Sequence, residues 1–148
     1  NFDFSGDSAG VLIDEDKLRQ VFINLFSNAS DAMEAKGVLI VKTSLERIGL
    51  NEDEDGEVRG GAIAKRAERA REFVAISFMD NGPGVPAEDM EKIFDPFFTT
   101  KEAGHGTGLG LFVSESIIKA FGGMIEVANR PEGGTEFKVL ILREDRGV

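Results

Sequence analysis

The sequence predicts an α/β fold of two layers, in which helices pack on one face of a mixed β-sheet. Its 148 residues suffice for one domain, and 41% hydrophobic with 30% charged residues is the composition of a globular protein. Helix and strand patterns follow one another in the order helix, strand, strand, helix, strand, strand. This order is typical of helices that share one side of a sheet.

The first helix is predicted to begin at Asp14 or Asp16, which are suitable N-cap residues, and to run to about Ala35 before Gly37. Its apolar residues fall on one broad side of a helical wheel, which indicates packing on a sheet. That side consists of Leu18, Val21, Phe22, Leu25, Phe26, Ala29, Ala32 and Met33.

Two strands are predicted at Val38–Leu45 and Phe73–Met79, where β-branched and apolar residues are frequent. Between them, from about Glu46 to Glu72, an acidic run is followed by an alanine-rich basic stretch. We interpret this part as an exposed, charged insertion with a short helix from Ala62, because so long a connection is uncommon inside a compact domain.

Four more elements are predicted downstream. They are a short helix near Ala87–Phe94, an amphipathic helix ended by Gly122 and Gly123, and the strands Met124–Asn129 and Thr135–Leu142. A turn over residues 130–134, with one proline and two glycines, joins the last two strands.

Composition excludes several classes of protein. The 27 acidic and 17 basic residues give a net charge of −10 and a pI of about 4.6, so nucleic acid is not expected as a partner. The absence of cysteine excludes a disulfide scaffold and fits a cytoplasmic location. No apolar run approaches the ~18 residues that cross a bilayer, so no direct membrane contact is expected.

Four polar side chains form a stripe along the first helix. Spacings of four, four and three residues place them on one side, and they are Gln20, Asn24, Asn28 and Asp31. Asparagine is unfavourable inside a helix, yet its amide oxygen suits Mg²⁺ when phosphates and water complete the shell. A solvated helix face is the simpler explanation of the stripe by itself.

Asp80 ends the second strand and is followed by the residues Asn-Gly-Pro-Gly, which include Gly82 and Gly84. A carboxylate there can accept a hydrogen bond from an exocyclic amino group, and the glycines let a flat ring approach the backbone. The exocyclic oxygen of guanine would be repelled, so this pattern favours adenine. A plain Asn-Gly turn is the alternative explanation.

The segment GHGTGLG, from Gly104 to Gly110, leads directly into the second amphipathic helix. Flexible glycines beside the unpaired N–H groups of a helix N-terminus suit a phosphate, and Thr107 is positioned to cap that helix. Lys101 precedes the segment and is well placed to meet a phosphate. A flexible linker is the alternative, and His105, the single histidine, is expected to be exposed without a direct role.

Together these motifs resemble a known family. NLFSNASDAM, DNGPGVP, FDPFFTTK, GHGTGLGL and GGTEF are similar to the N, G1, F, G2 and final G boxes of the ATP-binding catalytic domain of bacterial sensor histidine kinases. The resemblance covers about Val11 to Leu142 and implies the fold of the GHKL superfamily, an α/β sandwich of helices on a mixed sheet. Residues 1–148 would form one such domain, with an ATP lid over about 94–108.

The resemblance implies ATP and Mg²⁺ as cofactors. Asn28 would bind Mg²⁺, and Asn24 would lie near the phosphates and the metal. Asp31 departs from the family pattern, because many relatives carry a basic residue near the phosphates at this position. It would join the Mg²⁺ shell through water if it faces the metal, and it would have no role if it faces solvent. Asp80 would hold the adenine amino group, with Gly82 and Gly84 close to the base and Thr135 near the adenine end. Around the phosphates the resemblance places Lys101, Gly106, Thr107, Gly108, Leu109 and Gly110.

Asn24 separates the chain from gyrase-like relatives, which carry a glutamate that activates water, because a carboxamide cannot act as a general base. Hydrolysis should therefore be slow and the γ-phosphate kept for transfer, with Asn24 and Lys101 in the catalytic role. The resemblance implies a histidine acceptor on the kinase's own upstream dimerisation domain, which these residues do not include, and a response regulator as a further partner. A GHKL-type ATPase, a serine-directed anti-sigma kinase and a nucleotide-sensing module without transfer are the alternatives.

Overall fold

The computed structural model describes residues 2–3, 10–34, 36–49, 51–52, 58–59, 70–101 and 106–144. Its elements are β1 (Phe2–Asp3), α1 (Glu15–Ala32), β2 (Ile40–Gly49), β3 (Asn51–Glu52), β4 (Val58–Arg59), β5 (Ala70–Met79), α2 (Gly110–Ala120), β6 (Met124–Asn129) and β7 (Thr135–Leu142). The predicted helix from Ala62, His105, and parts of the predicted insertion and lid lie outside the described residues. Neither described helix has the length and apolar character that crossing a membrane requires.

Five strands form one sheet in the order β1-β2-β5-β7-β6. β1 runs parallel to β2, whereas every other neighbouring pair is antiparallel, so the sheet is mixed as predicted. The two-residue strands β3 and β4 pair with each other in a separate small sheet. Neither they nor β1 were predicted, because two residues carry no readable alternation.

Both helices cover the same face of the sheet. The core between the layers contains Val21 and Leu25 of α1, Ile118 of α2, and Phe78 and Val139 of the central strands, each at most 2% exposed. Each such side chain removes apolar surface from water, which contributes roughly 1.5–3 kcal/mol when burial is complete. The predicted two-layer arrangement of helices on one face is therefore confirmed.

The face of the sheet opposite the two described helices holds a smaller apolar cluster. Phe73 and Ala75 of β5 pack with Leu140 of β7, and all three are buried. Beyond this cluster, the Lys138 ammonium group pairs with the Glu46 carboxylate across the face at 3.1 Å. Side chains therefore alternate between the two faces along β5 and β7, as the period of a strand requires.

The ends of α1 are set by its flanking residues. Asp14 is the N-cap, as one of the two predicted starts, and its carboxylate accepts a hydrogen bond from a first-turn N–H at 3.0 Å. The helix ends at Ala32, earlier than the predicted Ala35, because Glu34 adopts the left-handed conformation with φ of 50°. Gly37 therefore lies beyond the termination and does not cause it.

The central strands are longer than predicted. β2 continues past Leu45 to Gly49, and β5 begins at Ala70, before the predicted Phe73. The two strands remain paired to these ends, where Gly49 faces Ala70. Charged side chains hide the strand pattern there, but an antiparallel ladder pairs backbone groups whatever side chains they carry.

The short helix predicted over Ala87–Phe94 is wrong, because this segment consists of successive turns. The N–H of Asp89 donates to the Pro86 carbonyl at 3.0 Å and the N–H of Lys92 to the Asp89 carbonyl at 2.8 Å. Only the Ile93 N–H, which donates to the Asp89 carbonyl at 3.0 Å, makes a helical bond across four residues. Helix nucleation is unfavourable, and a segment bounded by prolines is too short to offset it.

Candidate functional site

Two adjoining cavities open between the helices and the segment that follows β5. Their volumes are about 310 Å³ and about 230 Å³. Both are lined by Asn28 and Asp31 of α1, by Phe98 and Lys101 of the segment after β5, and by Leu111 of α2. Because they share these residues, the cavities form one elongated site with two ends.

One end of the site is built where β5 meets β7. Asp80 directly follows β5, is only 3% exposed, and donates its N–H to the Thr135 carbonyl at 2.9 Å. Its carboxylate Oδ1 accepts hydrogen bonds from the N–H groups of Gly82 at 2.8 Å and Thr135 at 3.1 Å. Oδ2 has no such partner within the described part of the chain. Asp80 therefore keeps one acceptor oxygen for a ligand in the cavity that it lines.

The loop after Asp80 is fixed to the end of β6. Asn129 Oδ1 accepts the N–H of Val85 and Asn129 Nδ2 donates to the Val85 carbonyl, each at 2.8 Å. Gly84 lines the larger cavity with φ of 85°, and a Cβ there would lie 2.8 Å from Asn129 Oδ1. Glycine is therefore required at this position. Gly82 lines neither cavity and supports the site only through its hydrogen bond to Asp80.

The turn between β6 and β7 supports Asp80 from behind. Arg130 Nη1 donates to the Asp80 carbonyl oxygen at 2.7 Å, and the Arg130 guanidinium also pairs with Glu132. A hydrogen bond from its own backbone and then the Arg130 guanidinium lower the pKa of Glu132. A Cβ on Gly134 would lie 2.1 Å from the Asp80 carbonyl oxygen, so only glycine fits there.

The other end of the site is the start of α2. The smaller cavity is lined there by Gly106, Thr107, Gly108 and Gly110. The N-cap is Leu109, which lines neither cavity and makes no side-chain capping bond, so first-turn N–H groups stay available to a ligand. The prediction that Thr107 caps α2 is wrong. Its hydroxyl lies before the N-cap and accepts the Leu109 N–H at 3.3 Å, which closes a turn instead.

The glycine-rich segment is joined to the phenylalanine-rich segment before it. The Phe97 N–H donates to the Gly108 carbonyl at 2.9 Å, and a Cβ on Gly108 would lie 2.4 Å from the Phe97 carbonyl carbon. Both residues have positive φ, 68° for Phe97 and 65° for Gly108. A left-handed backbone is unusual for a bulky residue, so the conformation of Phe97 stores strain beside the site.

The polar stripe of α1 enters the site over most of its length. Asn28 and Asp31 line both cavities, Asn24 lines only the smaller one, and Gln20 lines neither. The last three members of the stripe therefore line the site, although Asp31 is also exposed to solvent.

The amide of Asn24 has a defined orientation. Its Nδ2 donates to the Gly110 carbonyl and to the Ser114 hydroxyl, both at 3.1 Å. Ser114 is fully buried and donates its own hydrogen to the Gly110 carbonyl at 2.8 Å. Because a carbonyl oxygen only accepts, the NH₂ group of Asn24 must face α2. Its Oδ1 is then the atom left for a ligand.

Lys101 forms an ion pair with Asp31 across the middle of the site. The pair joins the last turn of α1 to the segment that precedes the glycine-rich residues. Asp31 therefore does not simply face solvent, which was one of the two alternatives expected for it.

A metal ion in this site would depend on a ligand for most of its shell. In the parts of the chain that the structure describes, no group of three or more His, Cys, Asp or Glu side chains comes together. The residues shared by the two cavities include one amide, Asn28, and one carboxylate, Asp31. So sparse a set of oxygen donors fits Mg²⁺, which keeps water and takes other ligands from phosphates.

The sequence predicted the motif residues of the site but missed much of its lining. The unpredicted lining residues are Ser27, Ala32, Val85, Pro86, Asp89, Ile93, Phe98, Thr99, Thr100, Leu111 and Phe137. Most of them lie in or beside the motifs, but their residue types are those of ordinary turns or of the core. The sequence therefore gave little signal for a role in the site. The supporting residues Ser114, Asn129 and Arg130 gave no signal, because each acts through a contact distant in sequence.

Comparison with known proteins places the chain in a known family. Residues 13–146 match the family described as histidine kinase-, DNA gyrase B- and HSP90-like ATPases. The sensor kinase CckA of Brucella abortus is 37% identical over 144 residues, which is 95% of this chain and 14% of the relative. The C4-dicarboxylate transport sensor protein DctB of Rhizobium meliloti is 39% identical over 133 residues, 90% of this chain and 18% of the relative. The chain spans less than a fifth of the length of either.

Solved structures place the fold in the same group. The catalytic domain of the histidine kinase ThkA has a TM-score of 0.67 and 31% identity, and the match covers 94% of this chain and 76% of that one. Full-length ShkA in complex with AMPPNP has a TM-score of 0.63 and 27% identity, covering 93% of this chain and 24% of that one. The chain therefore belongs to the histidine kinase-, DNA gyrase B- and HSP90-like ATPase family, in which its relatives are the catalytic domains of sensor histidine kinases.

Proposed function

We propose that this domain binds ATP with Mg²⁺ and transfers the γ-phosphate to a histidine on a separate dimerisation domain. The observation that carries the proposal is the elongated site itself, which has an unused carboxylate oxygen of Asp80 at one end and the open N-terminus of α2 at the other. Adenine and phosphates have the chemistry that complements these two ends. The ShkA relative, which is similar over 93% of this chain, was solved with a nucleotide analogue.

The Asp80 end favours adenine over guanine. Two backbone N–H groups donate to Oδ1, so Oδ2 is the oxygen that remains for a ligand. It requires a hydrogen-bond donor, and the exocyclic amino group of adenine is one. Guanine presents an oxygen at that position and would be repelled. Gly84 and Thr135 line the same end, where a flat base could lie close to the backbone. Gly82 holds Asp80 in place through its N–H group.

The α2 end suits phosphates. Gly106, Thr107, Gly108 and Gly110 line the smaller cavity beside the helix N-terminus, where N–H groups and the helix dipole favour negative charge. Leu109 contributes its position as N-cap and not its side chain. Lys101 lies between the two ends and would neutralise charge on the transferring phosphate.

Mg²⁺ would be held by Asn28, with Asp31 close enough to act through a water molecule. Bound there, the ion would neutralise charge on the phosphates and hold them in one geometry. Asn28 and Asp31 are the only polar residues of α1 that line both cavities. Both therefore adjoin the space between the base and phosphate ends.

Asn24 favours transfer over hydrolysis. Its NH₂ group is used by Gly110 and Ser114, and its remaining oxygen is that of a carboxamide, which has no useful basicity. Water in the site would therefore lack a general base at this position. The γ-phosphate is therefore kept for an acceptor, which would be a histidine on the dimerisation domain of the parent kinase. A response regulator would be the next partner. One relative is named a sensor kinase and another a sensor protein, which supports a signalling partner in general.

The fate of the phosphate tests this function. The chain is incubated with γ-labelled ATP, alone and with the dimerisation domain of its parent kinase, and free and protein-bound label are measured. Slow phosphate release from the chain alone and acid-labile label on the added histidine are expected. Rapid release by the chain alone would indicate a hydrolase, and acid-stable label on serine a serine-directed kinase.

A further inference from the structure

Lys101 and Asp31 are bound to each other at the place where the proposed phosphates would lie. Both line the two cavities, and the Lys101 ammonium group pairs with an Asp31 carboxylate oxygen. Their side chains are 33% and 47% exposed, so water screens the pair and it is weak. Among the described residues, the one lysine that lines the site is thus already paired with the protein's own carboxylate.

We propose that Asp31 is an internal competitor for the nucleotide's phosphates, which must displace it from Lys101 before that lysine can act. The inference rests on the proposed function only in taking the competing ligand to be a triphosphate. Asp31 would lower the affinity for free phosphate chains and leave the affinity for the base unchanged. Asp31 would thereby restrict binding at Lys101 to strongly charged ligands.

The surroundings of Lys101 suit such an exchange. Its N–H donates to Thr99 Oγ1 at 3.1 Å, and a Cβ on Gly106 would lie 3.1 Å from Lys101 Cδ. The backbone of Lys101 is therefore held in a turn, and its side chain passes close to Gly106. The flexible end can move from Asp31 to another anion within the cavities without moving the backbone.

Competition by charge predicts the size of the effect. An exposed ion pair changes an equilibrium by at most about five-fold, whereas a triphosphate brings several charges to the same ammonium group. A bound triphosphate therefore displaces Asp31, but an anion with one charge competes poorly. The released carboxylate would then lie free beside the proposed Mg²⁺ position.

The first arm of the test needs no nucleotide. The intact chain is treated with an amine-acetylating reagent, and modification of each lysine is followed by mass spectrometry with exposed Lys92 as an internal reference. Asp31→Asn should raise the rate at Lys101 by about two- to five-fold, because the ammonium group loses its partner. Asp89→Asn is the matched control, since Asp89 lines the same cavity and is not paired with Lys101. An unchanged rate in Asp31→Asn overturns the inference.

The second arm measures competition. Calorimetric affinities for Mg²⁺-free ATP and for adenosine are compared in the unmodified chain, Asp31→Asn, Lys101→Met and the double variant. Asp31→Asn should tighten ATP binding by up to about five-fold, leave adenosine unchanged, and have little effect when Lys101 is already methionine.

The possible failures are distinguishable. If Asp31→Asn tightens ATP binding equally when Lys101 is methionine, the effect is general repulsion between Asp31 and the phosphates. That result would overturn the proposed competition for Lys101. Normal ATP binding by the unmodified chain without tightening in Asp31→Asn would overturn the inference alone. Absence of ATP binding by the unmodified chain would overturn both the competition and the proposed function, even if the acetylation arm shows the ion pair.

Discussion

Asn24 shows how neighbouring groups decide what one side chain can do. A free carboxamide can present either its NH₂ group or its oxygen to a ligand. Here the Gly110 carbonyl and the Ser114 hydroxyl take the NH₂ group, so only the oxygen is available. The spacing of the polar stripe predicts that Asn24 reaches the site, but its orientation depends on a helix that lies 86 or more residues further along the chain.

Ser114→Ala tests this orientation. It removes one of the two acceptors for Asn24, so we expect the free energy of unfolding to fall by about 1 kcal/mol. Affinity for Mg²⁺·ATP should fall several-fold because the Asn24 amide is no longer held. Denaturant unfolding and calorimetry measure the two effects.

Ser116→Ala is the matched control for that variant. Ser116 makes the same bond to the carbonyl four residues earlier, at 2.8 Å, but it is exposed and does not touch Asn24. It should leave the nucleotide affinity unchanged. Equal effects of the two substitutions on affinity would contradict a positioning role for Ser114.

The turn between β6 and β7 is an element that serves both folding and the site. Its glycines place the backbone of Gly134 in contact with Asp80, and its Arg130 holds the Asp80 carbonyl. Both positions, Gly133 and Gly134, have φ near 90° to 100°, which side chains rarely adopt. Only at Gly134 would an added Cβ also meet other atoms.

Comparison of Gly134→Ala with Gly133→Ala separates the cost of backbone strain from the cost of a steric clash between an added Cβ and Asp80. Gly133→Ala should cost about 1–2 kcal/mol of stability through backbone strain alone, because nothing lies within 4 Å of its Cβ. Gly134→Ala should cost roughly 1–3 kcal/mol more and weaken ATP binding, since Asp80 must move. Thermal unfolding and calorimetry provide the measurements. Unchanged ATP affinity in a folded Gly134→Ala protein would contradict the role of this turn in holding Asp80.

Elements with local signals could be predicted, and those that depend on distant partners could not. The strand pair Met124–Asn129 and Thr135–Leu142 has the predicted bounds because its turn residues and alternation are adjacent in sequence. β1 consists of two residues and forms only by pairing with β2. Likewise Asp80 could be identified from its motif, whereas Asn129, which fixes the loop beside it, acts from 44 residues away.

The whole domain places the site where its layers meet. The sheet contributes Asp80 and Thr135, α1 contributes Asn28 and Asp31, and α2 contributes its N-terminus. None of these elements alone offers both an acceptor for adenine and donors for phosphates. The two-layer packing therefore creates the end of the site at Asp80, on which the proposed recognition of adenine and the proposed kinase activity depend.

Calorimetric titration with ATP and with GTP, each with and without Mg²⁺, tests the recognition of adenine at Asp80. The unmodified chain is compared with the Asp80→Asn variant. The substitution keeps Oδ1 for its two N–H donors and replaces the ligand-facing oxygen by an amide NH₂ group. We expect saturable binding that prefers ATP, and in Asp80→Asn a loss of about ten- to a hundred-fold in ATP affinity with a shift toward GTP. Equal binding of the two nucleotides by the unmodified chain, or unchanged ATP affinity in a folded Asp80→Asn protein, would contradict the account.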